Sequence, residues 1–194
     1  ALSFLCHTAG ELQMEISSFT LNPIEATRES FQKYGQLIEP SDDGDVFGPH
    51  DAQLELSHGV PRFYIMRLEK RPLKFSTITH HASVTQCLGS IGAGEWYLAV
   101  TEPTIIDNDD ATAEGARASP CGHLYTPPLV DNVRVFRISG ASFVMLRRGT
   151  WHAGPMFIGH SMDFYNLELS NTNVVDHTVH DFKKENGVIF NVST

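Results

Sequence analysis

Ten histidines are spread through the 194 residues, and two of the stretches that hold them have a form that chemistry could use. In THHASVTQ (79–86), His81 stands five residues before Gln86. In RRGTWHAGPMF (147–157), Trp151 and His152 follow Gly149 closely, between the apolar run ASFVML and the strand-like MDFYNLEL. An imidazole near its ordinary pKa of about 6.5 can take or give a proton at physiological pH. A carboxamide can orient a ligand through both a donor and an acceptor. His80 and His81 are adjacent, so on a strand they point to opposite faces and only one can face an interior. A histidine and an amide on one hairpin, opposite a histidine on a later hairpin, can converge at the mouth of a barrel. The competing reading is packing, with Trp151 capping a sheet end and His152 satisfying its own hydrogen bonds.

The surrounding sequence supplies strands to hold such a site. After a strand at MEISSFTLNPI, EATRESFQKYGQLI reads as a helix over 27–34, with Thr27 as N-cap, Phe31 and Tyr34 on one face and Gly35 as its stop. EPSDDGDVFGPHDAQ is a loop by its turn signals. From Pro61 onward come short runs rich in β-branched and aromatic residues, broken by turns. The acidic, small-residue stretch at 103–119 reads as a mobile loop or insertion. The expected architecture is therefore all-β: one domain over 1–194, a sandwich or barrel with the early helix outside.

Composition narrows the function. Hydrophobic residues make up 41% and charged residues 19%, which is globular, and the net charge of −9 repels phosphate backbones. With no basic stripe beyond the short RLEKRPLK, nucleic acid is not an expected partner. No apolar run approaches the roughly 18 residues that span a bilayer, so no membrane partner is expected either. The odd cysteine number, three, suits a reducing compartment. The expected location is cytoplasmic, with organelle targeting if the N-terminus is processed.

The His–Gln motif followed by G-x-x-H resembles a cupin layout, a jelly-roll barrel with one or two peripheral helices. Arg147 stands where the second cupin motif has proline, no H-x-H pair is present, and Gln86 occupies the usual acidic position. An ordinary three-His-plus-Glu metal cupin is therefore not implied. Four elements in order are more specific. EATRESFQKYGQLIE, HASVTQ, RGTWHAGPM and DFYNLEL resemble the opening helix, the H-x-x-x-x-Q signature, the W-H turn and the following acidic strand of the ureidoglycolate lyase family. The resemblance spans about 24–181. The long acidic insertion before Cys121 and the tail LSNTNVVDHTVHDF resemble a plant-type branch more than the compact bacterial one.

The resemblance implies a carbon–nitrogen lyase acting on a small ureido acid in purine (allantoin) breakdown, and a homodimer, with the 16–21 strand as a possible edge for pairing. Ureidoglycolate carries hydroxyl, carboxylate and ureido nitrogen on one carbon; cleavage to glyoxylate and urea needs a base for the hydroxyl and a proton for the leaving nitrogen. His81 or His152 is the expected base and the other the acid. Arg67 would clamp the carboxylate, and Gln86 would orient the ureido group. Trp151, Asp163 and Tyr165 are the expected substrate-binding residues. Glu168 is the alternative to Asp163, because the two are five apart and lie on opposite faces of a strand. If a divalent metal is present (nickel, iron or zinc), His81, Gln86 and His152 become its ligands. His123, His160, His177 and His180 show no pattern, HTVH (177–180) is read as surface, and Asn166 is read beside Tyr165 as a pocket neighbour. Two other readings fit the same residues: a lyase or isomerase for a different small carboxylic acid, and a non-catalytic protein that binds one.

Overall fold

The structure, a computed structural model, describes residues 15–106 and 114–194. The N-terminal stretch before Glu15 and the centre of the expected acidic loop lie outside the described residues. Seventeen strands and three short helices are present among the described residues, in chain order β1 (Ser17–Leu21), β2 (Ile24–Glu25), α1 (Arg28–Phe31), β3 (Gly35–Ile38), β4 (Pro61–Glu69), β5 (Lys74–Phe75), β6 (Thr77–His80), β7 (Gln86–Ser90) and β8 (Trp96–Thr101). There follow β9 (Ile105–Ile106), β10 (Arg117–Ala118), β11 (Leu124–Tyr125), β12 (Arg134–Ile138), β13 (Phe143–Leu146) and β14 (Trp151–Met156). The chain closes with β15 (Ser161–Leu169), α2 (Thr172–Val175), β16 (Thr178–Asp181), α3 (Phe182–Asn186) and β17 (Val188–Val192). The all-β class expected from the sequence is what forms.

Two sheets carry the architecture. One has the order β16-β6-β14-β8-β12-β2 and the other β3-β13-β7-β15-β4. Leu88, Phe164 and Leu146 from the second meet Trp96, Leu98 and Phe136 from the first in one apolar core. The back of the six-stranded sheet is buried as well. Ile78, Ala99, Trp151 and Val135 pack there against Phe182, Val188 and Phe190 of α3 and β17. Every residue of β8 is consequently buried, which explains its unbroken apolar run where a one-sided strand would alternate. The outer face of the five-stranded sheet is open at β4 and β15 among the described residues. Phe63 and Ile65 on that face are 68% and 61% exposed.

The early helix forms as read, but shorter. Thr27 caps it, its hydroxyl accepting from Ser30 N at 3.0 Å, and Ser30 Oγ accepts in return from Thr27 N at 2.9 Å. Gly35 does more than stop the helix: it opens β3, where a Cβ would sit 1.9 Å from Met145 O. At Gly149, φ is +77° and a Cβ would meet Ile105 Cδ1 at 2.5 Å, so only glycine fits the turn that leads into β14.

Two sequence expectations are corrected here. Trp151 and His152 are not in a turn; they open a strand, and β13 and β14 belong to different sheets. His81 and Gln86 do not share a hairpin either, because the connection after β6 crosses from the six-stranded to the five-stranded sheet before β7 begins. Trp151 is fully buried behind the six-stranded sheet, its Nε1 donating to Thr104 Oγ1 at 2.8 Å. Trp151→Ala should therefore cost roughly 3–5 kcal/mol of unfolding free energy in a denaturant titration. A loss below about 1 kcal/mol would show that the indole is not part of that core.

Candidate functional site

The crossing of the 81–85 connection opens a cavity of about 600 Å³ between the two sheets. His81, Thr79 and His152 line it from the six-stranded side; Gln86, Asn166, Glu168 and Tyr64 line it from the five-stranded side. The sequence-derived trio is thus brought together. The His81 and His152 rings are 5.3 Å apart, and His177 stacks on His81 at 5.7 Å.

Both central imidazoles have a fixed tautomer. His81 Nδ1 bonds the main-chain oxygen of Asp176, and His152 Nδ1 bonds Thr150 O at 3.1 Å. A carbonyl only accepts, so each ring carries its proton on Nδ1 and keeps a lone pair on Nε2. Burial pushes the His152 imidazole down to about 3, with His81 nearby adding to the effect. Burial also lowers His81, opposed by the hydrogen bond to the Asp176 carbonyl and by the Asp176 charge. His152 is accordingly neutral at physiological pH and a weak base, and His81 is left as the candidate base.

A hydrogen-bonded set lies opposite. Glu168 is 2% exposed. It accepts from Tyr64 Oη at 3.3 Å and from Gln86 Nε2 at 3.2 Å. Asn166 Nδ2 donates to Tyr64 Oη at 2.9 Å, and Asn166 Oδ1 accepts from Gln86 Nε2 at 3.1 Å. Gln86 Oε1 is buried and has no donor among the described residues. An unpaired buried acceptor is costly, and this one belongs to a side chain that lines the cavity.

Lys70, Arg71 and Lys74 also line the cavity, from the β4–β5 connection and the start of β5. All three are exposed, and none is in an ion pair among the described residues. In a chain of net charge −9, they make a local positive region beside a cavity lined with acceptors.

Four expected site residues lie elsewhere. Arg67 and Asp163 face each other across β4 and β15 and pair with each other, Nε to Oδ1 and Nη2 to Oδ2 both at 2.8 Å. They sit on the exposed face of the five-stranded sheet, as does Tyr165, which stacks on Phe63 at 5.8 Å. Alternation along β15 puts Asn166 and Glu168 inward and Asp163 and Tyr165 outward. Trp151 faces away from His152 for the same reason, and its neighbour there is His80, whose ring lies 4.0 Å away. The surface reading of HTVH also needs correction, and His123 is drawn into the same region. His177 lines the cavity, His180 is 1% exposed, and His123 Nε2 lies 2.7 Å from His80 Nε2.

Tyr64, Glu168 and the three cations had signals that went unused. Glu168 was the other parity of the Asp163 choice. RLEKRPLK stood out as the densest basic cluster, and β-branched residues in HTVH already argued for a strand.

The histidine environment predicts a pH-dependent stability. His152, and likewise His80 behind it, titrate near 3 when folded through burial, against about 6.5 in an unfolded chain. Between those values the unfolded chain binds protons that the folded one refuses. Stability from these groups is therefore present above about pH 6.5 and lost as pH falls toward 3. The melting temperature of the wild type should fall more steeply between pH 6.5 and 4.5 than that of His152→Gln. Parallel curves would show that His152 is not buried in its neutral form.

Comparison with known proteins bears on the same elements. A family model described as ureidoglycolate lyase matches residues 18–188. A search of curated proteins finds no match. The matched span contains both sheets, both histidine motifs and the whole of the cavity lining, and it shows that the chain belongs to the ureidoglycolate lyase family and is a lyase.

Proposed function

We propose that the cavity between the sheets binds ureidoglycolate with its ureido end inward and its carboxylate toward Lys70, Arg71 and Lys74. The observation that carries this orientation is the polarity of the lining. The inner positions offer lone pairs (His81 Nε2, His152 Nε2) and a buried carboxylate, Glu168, which repels an anion. The cations stand on the connection at the cavity's exposed side. A guanidinium binds a carboxylate through two parallel hydrogen bonds, so Arg71 takes the role expected of Arg67.

In this reading His81 serves twice. Its Nε2 takes the proton of the substrate hydroxyl as the oxygen's electrons form the carbonyl of glyoxylate and the C–N bond breaks. The imidazolium then returns that proton to the ureido nitrogen, which leaves as urea. Hydroxyl and nitrogen sit on one carbon, so one imidazole can reach both. His152, neutral and bonded to Thr150, orients the substrate and does not act as an acid. His177 packs on His81 from the other side.

A divalent metal does not fit this donor set. Among the described residues no three His, Cys, Asp or Glu side chains gather as metal ligands. Gln86 is tied through its nitrogen to Asn166 and Glu168, and its oxygen is buried with no hydrogen bond to either imidazole. No step is routed through a metal.

The wild type should convert ureidoglycolate to glyoxylate and urea in a 1:1 ratio with no ammonia. His81→Gln should lower kcat by about 10²–10⁴-fold. Arg71→Ala should raise KM by about tenfold, the loss of one charge-assisted contact. Arg67→Ala should leave kcat/KM within about twofold, since an exposed ion pair contributes little. Ammonia as a product, or an Arg67 effect larger than that of Arg71, would overturn the reading. Turnover of a different hydroxy acid alone would favour the second reading, a lyase for another small carboxylic acid.

The partner we propose is a second copy of the chain, seated on the outer face of the five-stranded sheet. Phe63, Ile65 and Tyr165 are exposed there, and the Arg67–Asp163 pair is already neutralised, so a symmetric contact strands no charge. The 16–21 edge expected from the sequence is the alternative surface, since β1 stands at the edge of its sheet beside β17. Ile65→Lys should convert a dimer into a monomer in light scattering, and a wild type that is monomeric at micromolar concentration would contradict the proposal. The cytoplasmic, plant-type assignment rests on the unpaired thiols of Cys87 and Cys121 and on the insertion and tail. No helix of the described residues is long and apolar enough to cross a membrane.

A further inference from the structure

The lining of the cavity includes a negative charge with no cation beside it. Glu168 is 2% exposed and forms no ion pair among the described residues. Both of its oxygens accept, one from Tyr64 Oη and the other from Gln86 Nε2, which is the pattern of an ionised carboxylate. Two neutral donors compensate a buried charge only in part. Its field reaches the imidazoles: burial lowers His81, and the Glu168 carboxylate is among the charges that oppose the shift. At the other side Lys70, Arg71 and Lys74 line the cavity from an exposed connection. Taken alone, three cations attract a dianion more strongly than a monoanion. A cavity with only that feature would prefer the wrong charge.

We infer that Glu168 is a specificity-determining residue that bars 2-hydroxy dicarboxylates isosteric with the ureido acid. The inference rests on the proposed ureido-acid reading of the cavity and deepens it by naming the competing ligand class and the side chain that refuses it. Malate is the case in point. Like ureidoglycolate, it carries a hydroxyl and a carboxylate on one carbon. A methylene then stands for the ureido N–H, and a planar carboxylate for the terminal carboxamide. Size and shape therefore do not separate the two; charge at the inner end does. A ureido acid can turn its neutral end to Glu168 and its carboxylate to the cations. A dicarboxylate is charged at both ends, so either direction puts one charge against Glu168. Between sheets that exclude most water, such a like-charge approach is weakly screened, and repulsion of the wrong ligand is a recurrent source of specificity.

The test compares two ligands by calorimetry at one neutral pH. Malate and malamate, its 4-amide, differ only in the inner-end group, and neither has a C–N bond at the hydroxyl carbon to break. The wild type should bind malamate at least about tenfold more tightly than malate, as repulsion between nearby charges at an effective dielectric of about 20 allows. In Glu168→Gln the preference should fall to within about threefold or reverse, because malate binds more tightly once the repelling charge is gone. General damage to the cavity weakens both ligands and cannot produce that gain. If Glu168→Gln does not fold, Gln86→Lys serves the same purpose: it keeps Glu168 and sets a cation beside it, and the preference should fall in the same direction. A folded variant in which malate binds no more tightly and the preference persists would overturn the inference. A wild type that binds both ligands equally would overturn it too, and would leave the ureido-acid reading standing. One that binds neither, or malate alone, would overturn that reading and this inference with it.

Discussion

Asp176 holds the site together without lining it. Its carboxylate accepts from the main-chain nitrogens of Ala82 and Ser83, both at 2.8 Å, and its main-chain oxygen accepts from His81 Nδ1. The crossing connection is tied from the other side as well: Gly149 N donates to His81 O at 2.7 Å, and Arg148 Nε donates to Ala82 O at 2.9 Å. These bonds join the His81 segment to the β13–β14 turn and to the segment that precedes β16. A connection between two sheets would otherwise be a place of unpaired buried main-chain groups. Here the groups that satisfy it also set the tautomer of the candidate base. The position of His81, its basicity and its stacking on His177 all follow from the same tie.

The rest of the site is a consequence of strand geometry. Side chains alternate along β4, β14 and β15, so one register choice decides which polar groups face the cavity. On β14 that choice sends His152 inward and Trp151 into the core behind the sheet, where it supports the strand mechanically. On β15 it sends Asn166 and Glu168 inward. The outcome is electrostatic as much as steric: acceptors and a buried carboxylate inside, three cations on an exposed connection. Such a cavity can hold a molecule with N–H groups at one end and an anion at the other in only one direction. In the proposed orientation the reacting carbon lies beside His81, and positioning of this kind supplies a large part of a catalytic effect.

Much of the fold was legible because the sequence alternates and punctuates clearly: the Thr27 cap, the glycines before β3 and β14, and the short apolar runs all appear where they were read. His81, Gln86 and His152 were legible through their spacing and their resemblance to a family signature. The side of each strand was not. On β4 both faces carry apolar residues, Phe63 and Ile65 on one and Met66 and Leu68 on the other, so periodicity gave two faces and no rule for choosing the inner one. Arg67, Asp163 and Tyr165 were assigned on the wrong face for that reason. The Trp151–His152 pair needed only the rule already used for His80 and His81, since adjacent strand residues cannot share a pocket. His177 and Asp176 were not legible, because their contacts are made across more than ninety residues and no local pattern marks them.

In the proposed complex a ureido acid lies between the two sheets, with its nitrogen end toward His81 and its carboxylate toward the β4–β5 connection. A crystal structure with ureidoacetate bound tests it most directly. The ureido N–H groups should lie within hydrogen-bond distance of His81 Nε2, and the carboxylate on Arg71 or Lys74. A ligand whose carboxylate sits on Arg67, or which binds in the reverse direction with its carboxylate beside Gln86, would contradict it.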